Sequence, residues 1–142
     1  MLVPEKTDVQ LSVEFENILQ WAVDNLMTVN INKTKEIVFH RPSARHSLPI
    51  PLIGIEQVLS AKLLGVTLCS NLKFDDHVKN VLTISSQRCY LLRCFKGQGL
   101  PAKELNTVFC AIVMSRILYA LPAWGGFLTY ELTAKIDSFF MQ

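Results

Sequence analysis

The sequence predicts an α+β fold: one helix packed on a small antiparallel sheet, followed by a three-helix bundle. Three observations carry that expectation. A helical apolar period runs over 8–27, short β-rich stretches bounded by proline and turn residues occupy 36–69, and a helical period returns from Asp75 onward. With 142 residues, 50% of them apolar and 18% charged, the chain has the material for a packed core, which argues against global disorder.

Over 8–27, Leu11, Phe15, Ile18, Leu19, Ala22, Val23 and Leu26 share one helix face, and Glu14, Glu16, Asn17 and Asp24 the other. Asp8 is placed as the N-cap. The pattern breaks at 28–32, where asparagines and β-branched residues disfavour a helix. A turn at Lys33-Thr34-Lys35 leads into a strand at 36–40. Residues 41–51 carry Pro42, Pro49 and Pro51 and read as loop or sheet edge. Strands follow at 52–57 and 62–69, and the chain turns at 71–76.

The second helix begins at Asp75. Its apolar stripe is Val78, Leu82, Cys89, Leu92 and Phe95, with Val81 and Leu91 beside it. Gly97 and Gly99 end it, and Pro101 suits the first turn of the next helix. That helix, 101–121, is apolar nearly all round through Leu105, Val108, Phe109, Ile112, Val113, Ile117 and Leu118, and Pro122, Gly125 and Gly126 terminate it. A last helix spans about 129–141. The domain division expected from this order is 1–69 and 70–142.

The net charge of +2 is unevenly spread. Residues 1–32 hold one basic and five acidic side chains, 33–62 five basic and two acidic, and 73–103 six basic and two acidic. Such a distribution leaves room for a polyanionic partner without demanding one. The four cysteines do not make a disulfide framework, and Cys89-x4-Cys94 with His77 lacks the second ligand pair of a structural zinc site; Cys89 lies on a helix stripe and Cys69 and Cys110 in apolar runs, as small hydrophobes do. Met1-Leu2-Val3 runs straight into Pro4, Glu5 and Lys6, so no apolar leader is expected, and an intracellular setting, cytoplasmic or nuclear, is the expectation. The apolar run 108–123 contains Arg116 and falls short of the ~20 residues of a membrane span, so it reads as a buried helix and no membrane partner is expected.

Phe74-Asp75-Asp76 has the form of a polymerase metal-binding pair. Two-metal phosphoryl transfer, however, needs a strand hairpin around the pair and a third carboxylate. Here the aspartates open a helix, where they suit capping and the dipole. His77, one turn in, reads as an exposed polar residue, and no metal site or catalytic residue is expected. Lys33 and Lys35 sit on a turn where they can meet a phosphate. Lys73, Lys79, Arg88, Arg93 and Lys96 spread along the basic helix. Arg88 and Arg93 do not share one strict face, because five residues turn through ~500°. This set reads either as a solvated face or as contacts to a nucleic-acid backbone. Trp21, Tyr119 and Trp124 stand in apolar settings that favour core packing over base stacking.

Four stretches in order carry a resemblance. The run WAVDNLMTVNINKTKEIVF (21–39) resembles motif D of reverse transcriptases from non-LTR retrotransposons of the LINE or jockey type. KLLGVTL (62–68) looks like the next block, the primer grip, NLKFDDHV (71–78) follows as in that family, and YALPAWGG (119–126) resembles its signature after the thumb helices. The likeness spans about 15–135. It implies that 8–40 is the end of the palm, that 52–69 carries the primer-grip hairpin, and that 74–122 forms thumb helices lying against a template–primer duplex.

The resemblance further implies that Lys33, with Lys35 beside it, stands near the incoming nucleotide's phosphates. Leu64, Gly65 and Val66 would form the primer-grip turn, and Lys73, Lys79, Arg88, Arg93 and Lys96 would meet the sugar-phosphate backbone. The family's catalytic carboxylates and their Mg²⁺ belong to blocks that do not appear in this sequence, the Asp-Asp hairpin being expected just upstream of Met1. This chain alone is therefore expected not to polymerise, and to act as a segment of an RNA-directed DNA polymerase with residual duplex binding. The alternative is a domesticated helical protein-interaction module that self-associates through the apolar helix 101–121.

Overall fold

The computed structural model describes residues 2–3, 10–40 and 48–141. The fold is mixed α and β, mostly helical, and it divides into two compact units, Met1–Ala61 and Lys62–Gln142.

In the first unit, α1 spans Leu11–Asp24 with Gln10 at its N-cap. The expected cap, Asp8, lies outside the described residues. The inward edge of α1 is narrower than its apolar stripe. Ala22 is buried and Leu11, Phe15 and Leu19 are half-buried, while Val23 and Leu26 are exposed. The helix ends in a Schellman turn: Leu26 takes φ 57°, its N–H donates to Val23 O, and Met27 N–H donates to Ala22 O at 2.8 Å. A 3₁₀ turn, Ile31–Lys33, follows, and the Asn30 side chain accepts the Lys33 N–H.

The strands depart from expectation. No single antiparallel sheet spans 36–69. Instead β1 (Lys35–Glu36) pairs in parallel with β2 (Glu56–Gln57), and β3 (Ser60–Leu63) pairs separately with β4 (Val66–Cys69). The side chains explain the parallel pair. Lys35 bridges to Glu56, and the Glu36 carboxylate accepts the Leu52 N–H and the Gln57 amide, both at 2.9 Å. The β3–β4 pair is a hairpin whose two-residue turn, Leu64-Gly65, has φ 46° and 89°. Turns of this hand match the twist of paired strands. The stretch expected as one strand, 62–69, is therefore folded back on itself.

In the second unit, α2 (Asp75–Gly97) opens after the N-cap Phe74. Asp75 and Asp76 stand in its first turn, favourable to the dipole, but make no side-chain cap hydrogen bond. Its end repeats the Schellman pattern of α1. Gly99 takes φ 88°, Gly99 N–H donates to Lys96 O, and Leu100 N–H donates to Phe95 O. Pro101 then sits at the N-cap of α3 (Ala102–Phe109). The helix expected over 101–121 widens into a π turn at Cys110–Met114, continues as α4 (Ser115–Leu118), and stops there. Tyr119 is extended and Ala120 takes the left-handed φ 51°, so Pro122 starts a short helix, α5 (Leu121–Trp124), rather than ending a long one. A 3₁₀ turn, Gly125–Phe127, leads to α6 (Tyr130–Phe140), capped by Thr129, whose hydroxyl accepts the Leu132 N–H.

Two apolar clusters hold this unit together. Val66, Phe74, Val78, Trp124 and Leu132 form one, and Val81, Val113 and Ile117 the other; Ile136 packs against both. The helical run 102–118 is not buried as expected. Val113 and Ile117 are its buried residues, and Cys110, Ala111 and Leu118 are exposed. By length and composition alone the longer stretch Ala102–Phe127 is apolar enough to cross a membrane, although the helix breaks within it at Tyr119–Ala120.

Gly65 answers both to its backbone and to its surroundings: a Cβ there would lie 3.3 Å from the Tyr119 ring. Gly65→Ala should lower stability by ~1–2 kcal/mol through the left-handed backbone alone. Urea unfolding checks this, and an unchanged midpoint would contradict the hairpin geometry.

Candidate nucleic-acid interface

The candidate residues divide between the two units. In the first, Lys33 ends the 3₁₀ turn with its side chain exposed and, among the described residues, in no ion pair. Lys35 is paired with Glu56 across the parallel strands, both side chains remaining exposed to solvent. Trp21, expected in the core, is 58% exposed.

In the second unit, the hairpin tip is anchored from the far end of the chain. The Tyr119 hydroxyl donates to Leu64 O at 2.9 Å, which leaves the ring of Tyr119 about half exposed rather than buried as expected. Leu64 is exposed, and Val66 turns inward to join Phe74, Val78 and Trp124. Trp124 is fully buried, and its indole N–H donates to Tyr119 O at 3.0 Å, satisfying a carbonyl freed where α4 breaks.

His77 corrects the expectation of an exposed polar residue. It is 2% exposed, its ring centroid lies 4.9 Å from that of Trp124, and its Nδ1 accepts the Thr67 N–H at 3.3 Å. Burial, followed by the charges of Arg116 and Lys62, holds its pKa below the ordinary histidine value. At the other end of β4, burial and the carboxylates of Asp76 and Asp75 push the Cys69 thiol up, so this cysteine stays protonated. Cys69 and Cys89 are half-buried, consistent with small hydrophobes, but Cys94 and Cys110 are exposed.

The basic residues of α2, and Lys73 just before it, separate into different roles. Lys73, Lys79, Arg93 and Lys96 are exposed. Lys79 and Arg93 lie within about 40° of each other around the axis, whereas Arg88 lies about 180° from Lys79. Arg88 is half-buried and donates to Ile112 O within the π turn, and Ser115 Oγ donates to the neighbouring Ala111 O. A widened turn leaves carbonyls without their usual helical donors, and these side chains supply them. Arg88 is thus a structural brace rather than a backbone contact.

The sequence reading missed three cations. Lys62 and Arg116 lie close enough to act on His77, and Lys135 shares a groove of about 390 Å³ with Ser86 and Glu131 between α2 and α6. In the sequence Arg116 stands out only as a charge inside an apolar run and Lys62 only as the first residue of KLLGVTL; nothing local places either beside His77, or Lys135 in a groove. Among the described residues, no group of three His, Cys, Asp or Glu side chains is placed to hold a metal ion. Among the described residues no third carboxylate stands beside Asp75 and Asp76. Comparison with known proteins finds no matching family model, no matching curated protein and no matching solved structure.

The two arginines of α2 provide a test. Arg88→Ala removes a charged donor from a half-buried carbonyl and should cost about 1.5–3 kcal/mol of stability. Arg93→Ala should stay within about 0.5 kcal/mol of the parent. Equal effects in denaturant titrations would contradict the division of roles.

Proposed function

We propose that the chain is a palm-end and thumb segment of a non-LTR reverse transcriptase, acting as a sequence-indifferent binder of template–primer duplex. The observation that carries this reading is that three of the four family-like stretches form one packed knot: Tyr119 of 119–126 holds Leu64 of 62–68, and Trp124 packs against His77 of 71–78. These contacts tie the three stretches into one structural unit, as adjoining walls of a single groove would be tied. The exposed cations Lys73, Lys79, Arg93 and Lys96 supply charge of the kind that displaces counterions from phosphates. Lys62 on β3 and Arg116 on α4, both acting on His77, add to that charge. Lys33, the residue like the motif D lysine, is solvent-facing and remains part of this reading.

A second reading has its own support. Cys110, Ala111, Leu118 and Tyr119 leave much of the apolar run 102–119 exposed, which suits a helical module that pairs with a second copy of itself.

Fluorescence anisotropy with a short RNA–DNA hybrid, over a range of salt, separates the two. Duplex binding should weaken steeply with salt, and replacing Lys79, Arg93 and Lys96 with alanine should flatten the log–log slope by about 0.9 per cation removed. Absence of binding at low salt, together with a stable dimer in sedimentation, would overturn the first reading in favour of the second.

A further inference from the structure

The environment of His77 is unusual for a titratable group. Its Nδ1 is a hydrogen-bond acceptor for the Thr67 N–H of β4, so the ring is neutral and carries its proton on Nε2. Nε2 is itself buried and has no hydrogen-bond partner among the described residues. The ring is walled by Phe74, with centroids 6.3 Å apart, and by Trp124 at 4.9 Å. A proton added at Nδ1 would meet the Thr67 N–H donor to donor, and the new charge would be buried in a nearly apolar pocket.

The surrounding charges do not relieve it. Lys62 on β3 and Arg116 on α4 are both positive and both oppose protonation. Asp75 and Asp76 on α2 itself are exposed, Asp76 being directed toward Cys69. The short helix that contributes Trp124, Leu121–Trp124, bears no charged residue. On α6, Glu131 and Lys135 line the groove beside Leu82 and Ser86, further along α2.

We propose that His77 is an acid-sensitive latch: while neutral it holds the β-hairpin against α2, and on protonation it releases the hairpin while the helices stay packed. The hairpin's other ties are Val66 and Leu68 against the core, Leu64 O on Tyr119, and the weak Cys69 thiol contact to Asp76. The helices retain the separate cluster of Val81, Val113 and Ile117, which contains no part of the hairpin. The sign follows from the neutral folded form. In the released state the imidazole titrates near its ordinary value of about 6.5, and in the latched state below it. The latch therefore contributes in full above that ordinary value and is lost as pH falls through the lower, latched value.

The test is hydrogen exchange and ring titration by NMR on the full chain between pH 8 and pH 5. His77 should titrate below 6.5, and in that window the Thr67 amide should lose about tenfold in protection per pH unit, after correction for intrinsic exchange. Val81 and its neighbours in α2 should keep theirs. His77→Asn, which can still accept from Thr67 but does not titrate, should remove the pH dependence. A ring that titrates at or above the ordinary value, Thr67 protection that stays level while the ring titrates, or a fall that persists in His77→Asn would each overturn the latch. Should the variant not fold, the wild-type comparison decides: loss of protection at Thr67 and Val81 together is global unfolding and overturns the proposal, whereas loss confined to the hairpin supports it.

Discussion

The second unit depends on the break between α4 and α5. A left-handed residue at Ala120 stops an apolar helix that its sequence would have continued, and sends the chain back so that Trp124 enters the core. A left-handed alanine is unfavourable by ~1–2 kcal/mol, and what offsets it is local. The Trp124 indole takes up the Tyr119 carbonyl that the break exposes, and its ring fills the space among Val66, Phe74, Val78 and Leu132. Burial of a residue this large is worth several kcal/mol, so the strain is easily carried. The same break frees Tyr119 to reach the hairpin tip and gives His77 its aromatic wall.

The two units are built on different physics. The second is organised by apolar packing of hairpin and helices, with Arg88 serving the π turn. Among the described residues of the first, Ala22 and Ile55 are the buried apolar ones, and its parallel strand pair rests on polar contacts to Glu36 and on the Lys35–Glu56 bridge. An exposed ion pair of this kind contributes at most about 1 kcal/mol.

Local signals served the sequence reading well. The switch to helical period at Asp75, the glycine stop near 97–99 and the last helix all stand close to where the residues placed them, because caps, glycines and apolar spacing act within a few residues. What stayed hidden depends on partners far along the chain. The parallel register of Lys35 on Glu56 follows from a side-chain bridge 21 residues long in sequence, and the bracing role of Arg88 from a carbonyl 24 residues on. A uniformly apolar helix gives no period from which to read a π turn or a break before Pro122. His77 looked exposed because much of its cover comes from outside its own helix, from β4 at Thr67 and, much later in the chain, from Trp124. The candidate site was thus legible as a set of cations and a glycine turn, but not in the sorting of those cations into braces, ion pairs and free charges.

The most direct measurement of the central claim is exchange of the two indole N–H protons in the intact chain, since Trp21 provides an internal exposed control at 58% accessibility while Trp124 is fully buried. If the chain folds back at Ala120 and seals Trp124 against His77, the Trp124 indole proton will exchange only through unfolding of the second unit, orders of magnitude more slowly than that of Trp21. Two indole protons exchanging at comparable rates would mean that the return at Ala120 does not form the core, and the knot joining hairpin, α2 and Tyr119 would fall with it.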